Sequence, residues 1–230
     1  EGAEGRTFSG RYLADELTAR GYDVLSLVGD FPSGLVGFDA VFLSFGNAGL
    51  DDPDLGLDYR SARLDAEWKV EAIRSYLESG GRLYLEGSDT LGYDVYDLVD
   101  GEDLLPLFGI ASGVDGVTNP IDGLEGQNGT LAEGMQFLGT SQDPVEWIDI
   151  FTPGAGAAAF VESDYGVVAV QHAGCFGQRT FGFAYSIADL VDGATTRGQL
   201  LDAILDFLQP GEEPPAVSPR RAGRRLMPSP

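Results

Sequence analysis

Residues 65–94, DAEWKVEAIRSYLESGGRLYLEGSDTLGYD, decide the fold class. Trp68, Ala72, Ile73, Tyr76 and Leu77 recur with a 3.6-residue period, while Glu67, Lys69, Glu71, Arg74 and Glu78 fill the positions between them. This pattern predicts a helix with one face on a core. Gly80 and Gly81 follow the last periodic residue, where a left-handed backbone is cheapest without a Cβ, so the helix ends there. Leu83, Tyr84 and Leu85 predict a buried strand, and Glu86, Gly87, Ser88, Asp89 and Thr90 a polar turn at its C-terminal end. A helix followed by a buried strand is half of a βαβ unit, and open α/β sheets place their sites at that strand end. The expectation is an α/β domain whose sheet is mostly parallel and flanked by helices.

Outward from this unit the chain continues the theme. Phe8, Tyr12, Leu13 and Leu17 predict an earlier helix stopping at Gly21, followed by strands over 23–28 (DVLSLV) and 40–45 (AVFLSF). A helix that opens an α/β chain calls for a strand before it, since parallel strands are joined through crossovers. The first strand is therefore expected to be missing upstream or donated from elsewhere. Residues 46–64 read as a long acidic loop, of the length that compact domains reserve for function or disorder. Leu104, Leu105, Leu107 and Phe108 predict a short helix or turn, and 111–139 is glycine-dense and irregular with short strands. Strand-like runs at 145–151, 157–161, 167–171 and 180–185 predict an antiparallel β extension in the second half, its last pair a hairpin through HAGCFGQR. Leu200, Leu201, Ile204, Leu205 and Leu208 predict a closing helix stopped by Pro210. The organisation is one domain over 1–209 and a Pro/Arg-rich linker or tail over 210–230.

Composition narrows the function classes. With 43% hydrophobic and 10% aromatic residues the 230-residue chain is that of a folded protein. The net charge is -23, and residues 1–210 carry 10 basic against 35 acidic side chains, a net of -25. Such a surface repels nucleic acid and anionic membranes. No apolar run reaches the roughly 18 residues of a membrane span. Cys175 alone excludes an internal disulfide and a cysteine-rich metal cluster. The chain starts at Glu1 without a signal segment and reads as a processed or excised piece; one lysine against 13 arginines fits a GC-rich genome or a saline habitat.

Several stretches together, GYDV at Gly21, GFDAVFLSFG from Gly37 to Gly46, YLESGGRLYLEGSDT from Tyr76, LLPLFGI from Leu104 and EGMQF from Glu133, resemble the glutamine-amidotransferase-like (flavodoxin-like) domain of large secreted multidomain bacterial proteins. The resemblance spans about residues 10–208. It implies a flavodoxin-like sheet, a secreted or cell-surface location, and neighbours such as peptidase modules and a C-terminal secretion-sorting module. Glutamine amidotransferases of this kind carry a cysteine on a G-x-C-x-G turn. Here Gly87-Ser88-Asp89-Thr90 stands in its place, without the cysteine and the second glycine, so the catalytic apparatus reads as missing.

Candidate sites follow from residue type. Ser88 at a strand end, or Cys175, with His172 and an acid such as Glu86 would make a hydrolase of amidase or peptidase type. His172 is the only histidine, so any histidine-dependent chemistry must use it. A tight glycine-flanked loop also accounts for His172 and Cys175 as packing residues, and Ser88 before an acid is an ordinary turn residue. Glu86, Ser88, Asp89 and Asp94 form a candidate ligand-binding group at the sheet's edge. Asp52, Asp54 and Asp58 alternate as calcium ligands do, although the EF-hand glycine and glutamate do not follow. Tyr59, Tyr93, Tyr96 and Trp147 are candidates for a carbohydrate or peptide platform, or for core and rim packing. The leading expectation is a non-catalytic accessory or interaction domain; a hydrolase and a calcium-stabilised structural spacer are the alternatives. The expected partners are other modules of the same protein, or an extracellular protein or glycan.

Overall fold

Chain connections set strand direction in this protein. A crossover through a helix returns the chain parallel, whereas a turn of a few residues returns it antiparallel. The computed structural model describes residues 9–27, 31–46, 64–117, 123–139, 147–162 and 165–209. Helix α1 (Ser9–Ala19) is followed by strand β1 (Val41–Ser44), helix α2 (Glu67–Glu78) and strand β2 (Arg82–Glu86). A π-helix (Thr90–Leu98) and a 3-10 helix (Glu102–Phe108) lead into β3 (Ile110–Val114), β4 (Leu124–Gly126), β5 (Gln136–Gly139) and β6 (Ile150–Pro153). Then come β7 (Ala157–Glu162), β8 (Gly166–Ala173), β9 (Arg179–Phe183), β10 (Leu190–Val191) and helix α3 (Arg197–Leu208).

The main sheet has eight strands in the order β1-β2-β9-β8-β7-β4-β5-β10, and β3 pairs with β6 in a separate ribbon. Only β1–β2 and β2–β9 are parallel; the other five pairings are antiparallel. This corrects the expected mostly parallel flavodoxin-like sheet: the sheet is mixed, mostly antiparallel and strongly curled into a half-barrel, with few helices. The physical reason lies in the second half, where β7, β8 and β9 follow one another through short turns. The antiparallel strands there are not an extension; they are most of the sheet.

Several local expectations also shift. In α2 the buried face is Val70, Ile73, Tyr76 and Leu77, while Trp68 is 51% exposed and meets Phe31 edge-on at 5.5 Å. Lys69, read as a surface residue, is buried along its stem and reaches Asp65 Oδ1 at 2.7 Å. Asp23–Leu27 forms no strand; Val28 lies outside the described residues. The polar turn expected after β2 leads at once into the π-helix, and in the run 145–151 the strand begins only at Ile150, after Trp147 turns the chain with φ 54°.

The two faces of β2 and β9 carry different layers. Tyr84 and Glu86 share one face, where a row of rings runs from Phe42 through Tyr84, Phe181, Phe183 and Phe160 to Phe137, with successive centroids 5.4–6.0 Å apart. Helix α1 meets this face, its Ser9 against Glu86, and is tied to α3 by Arg20, which donates to Asp202 Oδ1 at 2.6 Å and Gly198 O at 3.2 Å. On the opposite face Thr180 donates to Leu107 O, and Gly182 lies under Leu91 and Phe108. Helix α2 joins that layer through the Arg74–Asp103 pair.

Candidate functional site

The C-terminal end of β2 gathers the carboxylates. Glu86, the last residue of β2, is fully buried; its Oε2 accepts from the Tyr84 hydroxyl at 2.6 Å and from Ile187 N at 2.7 Å. Burial pushes its carboxyl above the usual range, opposed by hydrogen bonds from Ser44, Ser9, Tyr84 and Ile187. Burial likewise raises the Tyr84 phenol, with the Glu86 charge adding to the effect. The chain leaves the sheet through Gly87, whose N–H donates to Phe183 O. Ser88 is fully buried, its N–H donating to Gly46 O and its carbonyl accepting from Asp149 N at 2.8 Å.

Asp89 and Asp94 flank the first turn of the π-helix and are 9% and 1% exposed. Asp94 Oδ2 accepts from Leu64 N at 2.9 Å, which anchors the approach to α2. A further acid, missed by the sequence reading, completes the cluster. Asp149 is 0% exposed; its Oδ2 accepts from Gly92 N at 2.7 Å, and its Oδ1 has no hydrogen-bond partner. Burial drives its carboxyl well above the ordinary range, and the charges of Asp89, Asp94 and Asp115 push the same way while the Gly92 N–H opposes them. The signal was legible: an acid inside the apolar run Trp147-Ile148-Asp149-Ile150-Phe151 has no solvated side to turn to. Beside this cluster a cleft of about 450 Å³ is lined by Asp65, Glu67, Asp97, Asp100, Glu102 and Tyr96.

His172 and Cys175 belong elsewhere. His172 lies on β8 in register with Thr180 of β9, which is in turn level with Leu83 of β2. Glu86 is three residues further along and two strands across, roughly 10 Å in each direction at ordinary strand spacings. An odd offset also puts Glu86 on the opposite face of the sheet. The imidazole packs against Gly109 and hydrogen-bonds the backbone of Ala155, and burial lowers its pKa from the usual 6.5. Cys175 is exposed in the turn after β8, beside Phe176, whose carbonyl abuts Gly80 at the start of β2. So the described structure gathers Glu86, Ser88, Asp89 and Asp94 at one end and leaves His172 and Cys175 at the other.

Asp52, Asp54, Asp58 and Tyr59 lie outside the described residues, as does the loop 47–63. Among the described residues no group of three or more His, Cys, Asp or Glu is arranged to hold a metal ion. Of the aromatic candidates, Trp147 is 47% exposed, while the Tyr96 hydroxyl accepts from Gly113 N at 3.2 Å. No described helix is long and apolar enough to cross a membrane.

Neither the protein-family models nor the curated proteins give a match to this chain. Among solved structures it is similar to the exo-beta-1,4-mannosidase Op5Man5 from Opitutaceae bacterium strain TAV5, at 11% identity and a TM-score of 0.30. The likeness covers 63% of this chain and 21% of the mannosidase chain. At that score it assigns neither fold nor activity.

Proposed function

We propose that this chain is a non-catalytic accessory or interaction domain of a secreted or cell-surface multidomain bacterial protein. The observation that supports this reading is the separation of Ser88 from His172. A serine or cysteine nucleophile needs its base within about 3 Å, and that base needs an orienting group. Ser88 is buried and Glu86 is engaged with Tyr84 and Ile187 on one face, while His172 occupies the other face and the other end. The carboxylates at the β2 end hold backbone N–H groups in place: Asp94 that of Leu64, Asp149 that of Gly92. They shape the surface around the acidic cleft, which is where a partner module or extracellular protein would be met, with cationic groups preferred over anionic ones.

The test is labelling of the native protein with a fluorophosphonate and, separately, with a peptidyl chloromethyl ketone, read by intact mass. No adduct at Ser88, and adducts at Cys175 that form at the same rate in the His172→Ala variant, are the expected results. Labelling of Ser88 that requires His172 would overturn the reading in favour of a hydrolase.

A further inference from the structure

We propose that Asp149 is a proton-controlled latch: with a proton on Oδ1 it clamps the first turn of the π-helix to β3, and on losing that proton to bulk water it releases the turn. The placement follows from an acid inside an apolar run. Ile148 and Phe151 are buried on either side of it, and Asp149 is itself 0% exposed. Its Oδ2 accepts from Gly92 N, its own N–H donates to Ser88 O, and no donor among the described residues reaches Oδ1. One residue thus ties the head of β6 to the turn after β2 and to the π-helix.

Glycines bring the π-helix close enough to β3 to use that last oxygen. A Cβ on Gly92 would lie 2.4 Å from Asp149 Oδ1 and 2.7 Å from Val114 O, and one on Gly113 would lie 2.8 Å from Leu91 O. Oδ1 therefore faces a backbone carbonyl across the space that a side chain at Gly92 would fill. A carboxylate there sets acceptor against acceptor, and a cation must stand between them. Calcium needs about six to eight oxygens, and among the described residues no group of three acids is arranged for a metal. A proton needs two. On a protonated carboxyl one oxygen still accepts while the other donates, so Oδ2 keeps the Gly92 N–H and the Oδ1 hydroxyl is directed to Val114 O.

Burial holds the Asp149 carboxyl well above its ordinary range, and the described charges that face it act the same way. Asp89 and Asp94 approach from the start and middle of the π-helix, and Asp115 from the residues after β3. From the turn between β7 and β8 comes Tyr165, which bonds Ile148 O and Val117. Its phenol is raised by burial and then by the charges of Asp149, Glu162 and Asp115. Ionisation of Asp149 removes the hydroxyl donor and leaves a charge among acids without water. Water reaches it only where the first turn of the π-helix lifts off β3. Residues 96–98, at the other end of the same helix, line the acidic cleft, so the cleft wall becomes sensitive to pH as well. A latch of this kind would work whether or not a partner occupies the cleft.

Amide NMR on the 230-residue chain tests it between about pH 4 and 9, a span that covers the raised values of buried carboxyls. The Gly92 amide is expected to shift in one step, with a midpoint at least about one unit above the roughly 3.9 of free aspartate. Across that step the hydrogen-exchange protection of the Gly92 and Asp94 amides should fall by about 10-fold or more, as in a local opening, while that of β8 and β9 holds. Asp149→Asn should abolish the step and keep the protection at high pH, because a carboxamide accepts from Gly92 N and donates to Val114 O without titrating. Asp115→Asn, at an exposed position, should lower the midpoint by removing a like charge. A flat Gly92 amide, a step that persists in Asp149→Asn, or a step without loss of protection would each overturn the proposal. A loss shared by β8 and β9 would overturn it too, since that is global unfolding. If Asp149→Asn does not fold, the Asp115→Asn midpoint decides: a downward shift supports the latch and an unmoved one overturns it.

Discussion

The two ends of the central strands treat polar groups in opposite ways. At the end where β2 finishes, Glu86, Ser88, Asp94 and Asp149 are almost wholly withdrawn from water, and each accepts a hydrogen bond from a backbone N–H, Glu86 also from a phenol. At the other end His172 is half-buried and Cys175 exposed, and neither organises a network of this kind. A buried carboxylate is expensive unless hydrogen-bonded, so its partners fix its position and the local chain path. An exposed thiol fixes nothing. Polar residues at the first end thus act as structure, whereas the exposed Cys175 at the second does not.

The largest expected effect that would break this contrast is at Glu86. Glu86→Ala leaves the Tyr84 hydroxyl and Ile187 N–H buried without an acceptor, which costs about 4 kcal/mol at 1–3 kcal/mol per stranded group. Urea unfolding measures it, and a loss below about 1 kcal/mol would mean that the network carries no weight. Next comes Gly92→Ala. Its Cβ would lie 2.4 Å from Asp149 Oδ1 and 2.7 Å from Val114 O, and overpacking of this kind costs up to about 3 kcal/mol.

Asp149 sharpens the comparison through pH. Its folded pKa is raised above the roughly 3.9 of a free aspartate, so the folded state holds the proton more tightly. The associated stability is complete below about pH 3.9 and is lost as pH rises through the folded value. Asp149→Asn should therefore make the slope of stability against pH less negative than the parent's above about pH 4. An unchanged slope would place the charge elsewhere. His172 has the opposite sign: its folded pKa is lowered, so its contribution is complete above about pH 6.5 and lost as pH falls through the folded value. Being only half-buried, it should give a smaller change in slope on His172→Gln than Asp149 does. Cys175→Ser should stay within about 0.5 kcal/mol of the parent at any pH, as exposed substitutions do.

Much of the local structure was legible. Leu13 and Leu17 face the core of α1, Gly21 ends the helical run with φ 88°, β2 spans the apolar triplet Leu83–Leu85, and β8 and β9 form the expected hairpin. β1, α2 and β2 do form a βαβ unit, but direction is decided pair by pair, and the short turns between the later strands make their pairings antiparallel. That Glu86, Ser88, Asp89 and Asp94 lie near one another at the end of β2 was legible because a strand end can be read from the residues beside it. The burial of Asp149 could be read from its apolar run, but not its contact with Gly92, 57 residues away.

The sequence by itself determined which segments are helical or extended, and it determined that the chain carries a strongly negative charge, because periodicity and composition are local properties. The tertiary structure alone decided which strands pair and in what direction, that Glu86 and His172 lie on opposite faces, and that Asp149 joins the β2 end. Each of these depends on contacts between residues far apart in the chain, and the burial that raises the Glu86 and Asp149 carboxyls exists only once those contacts exclude water.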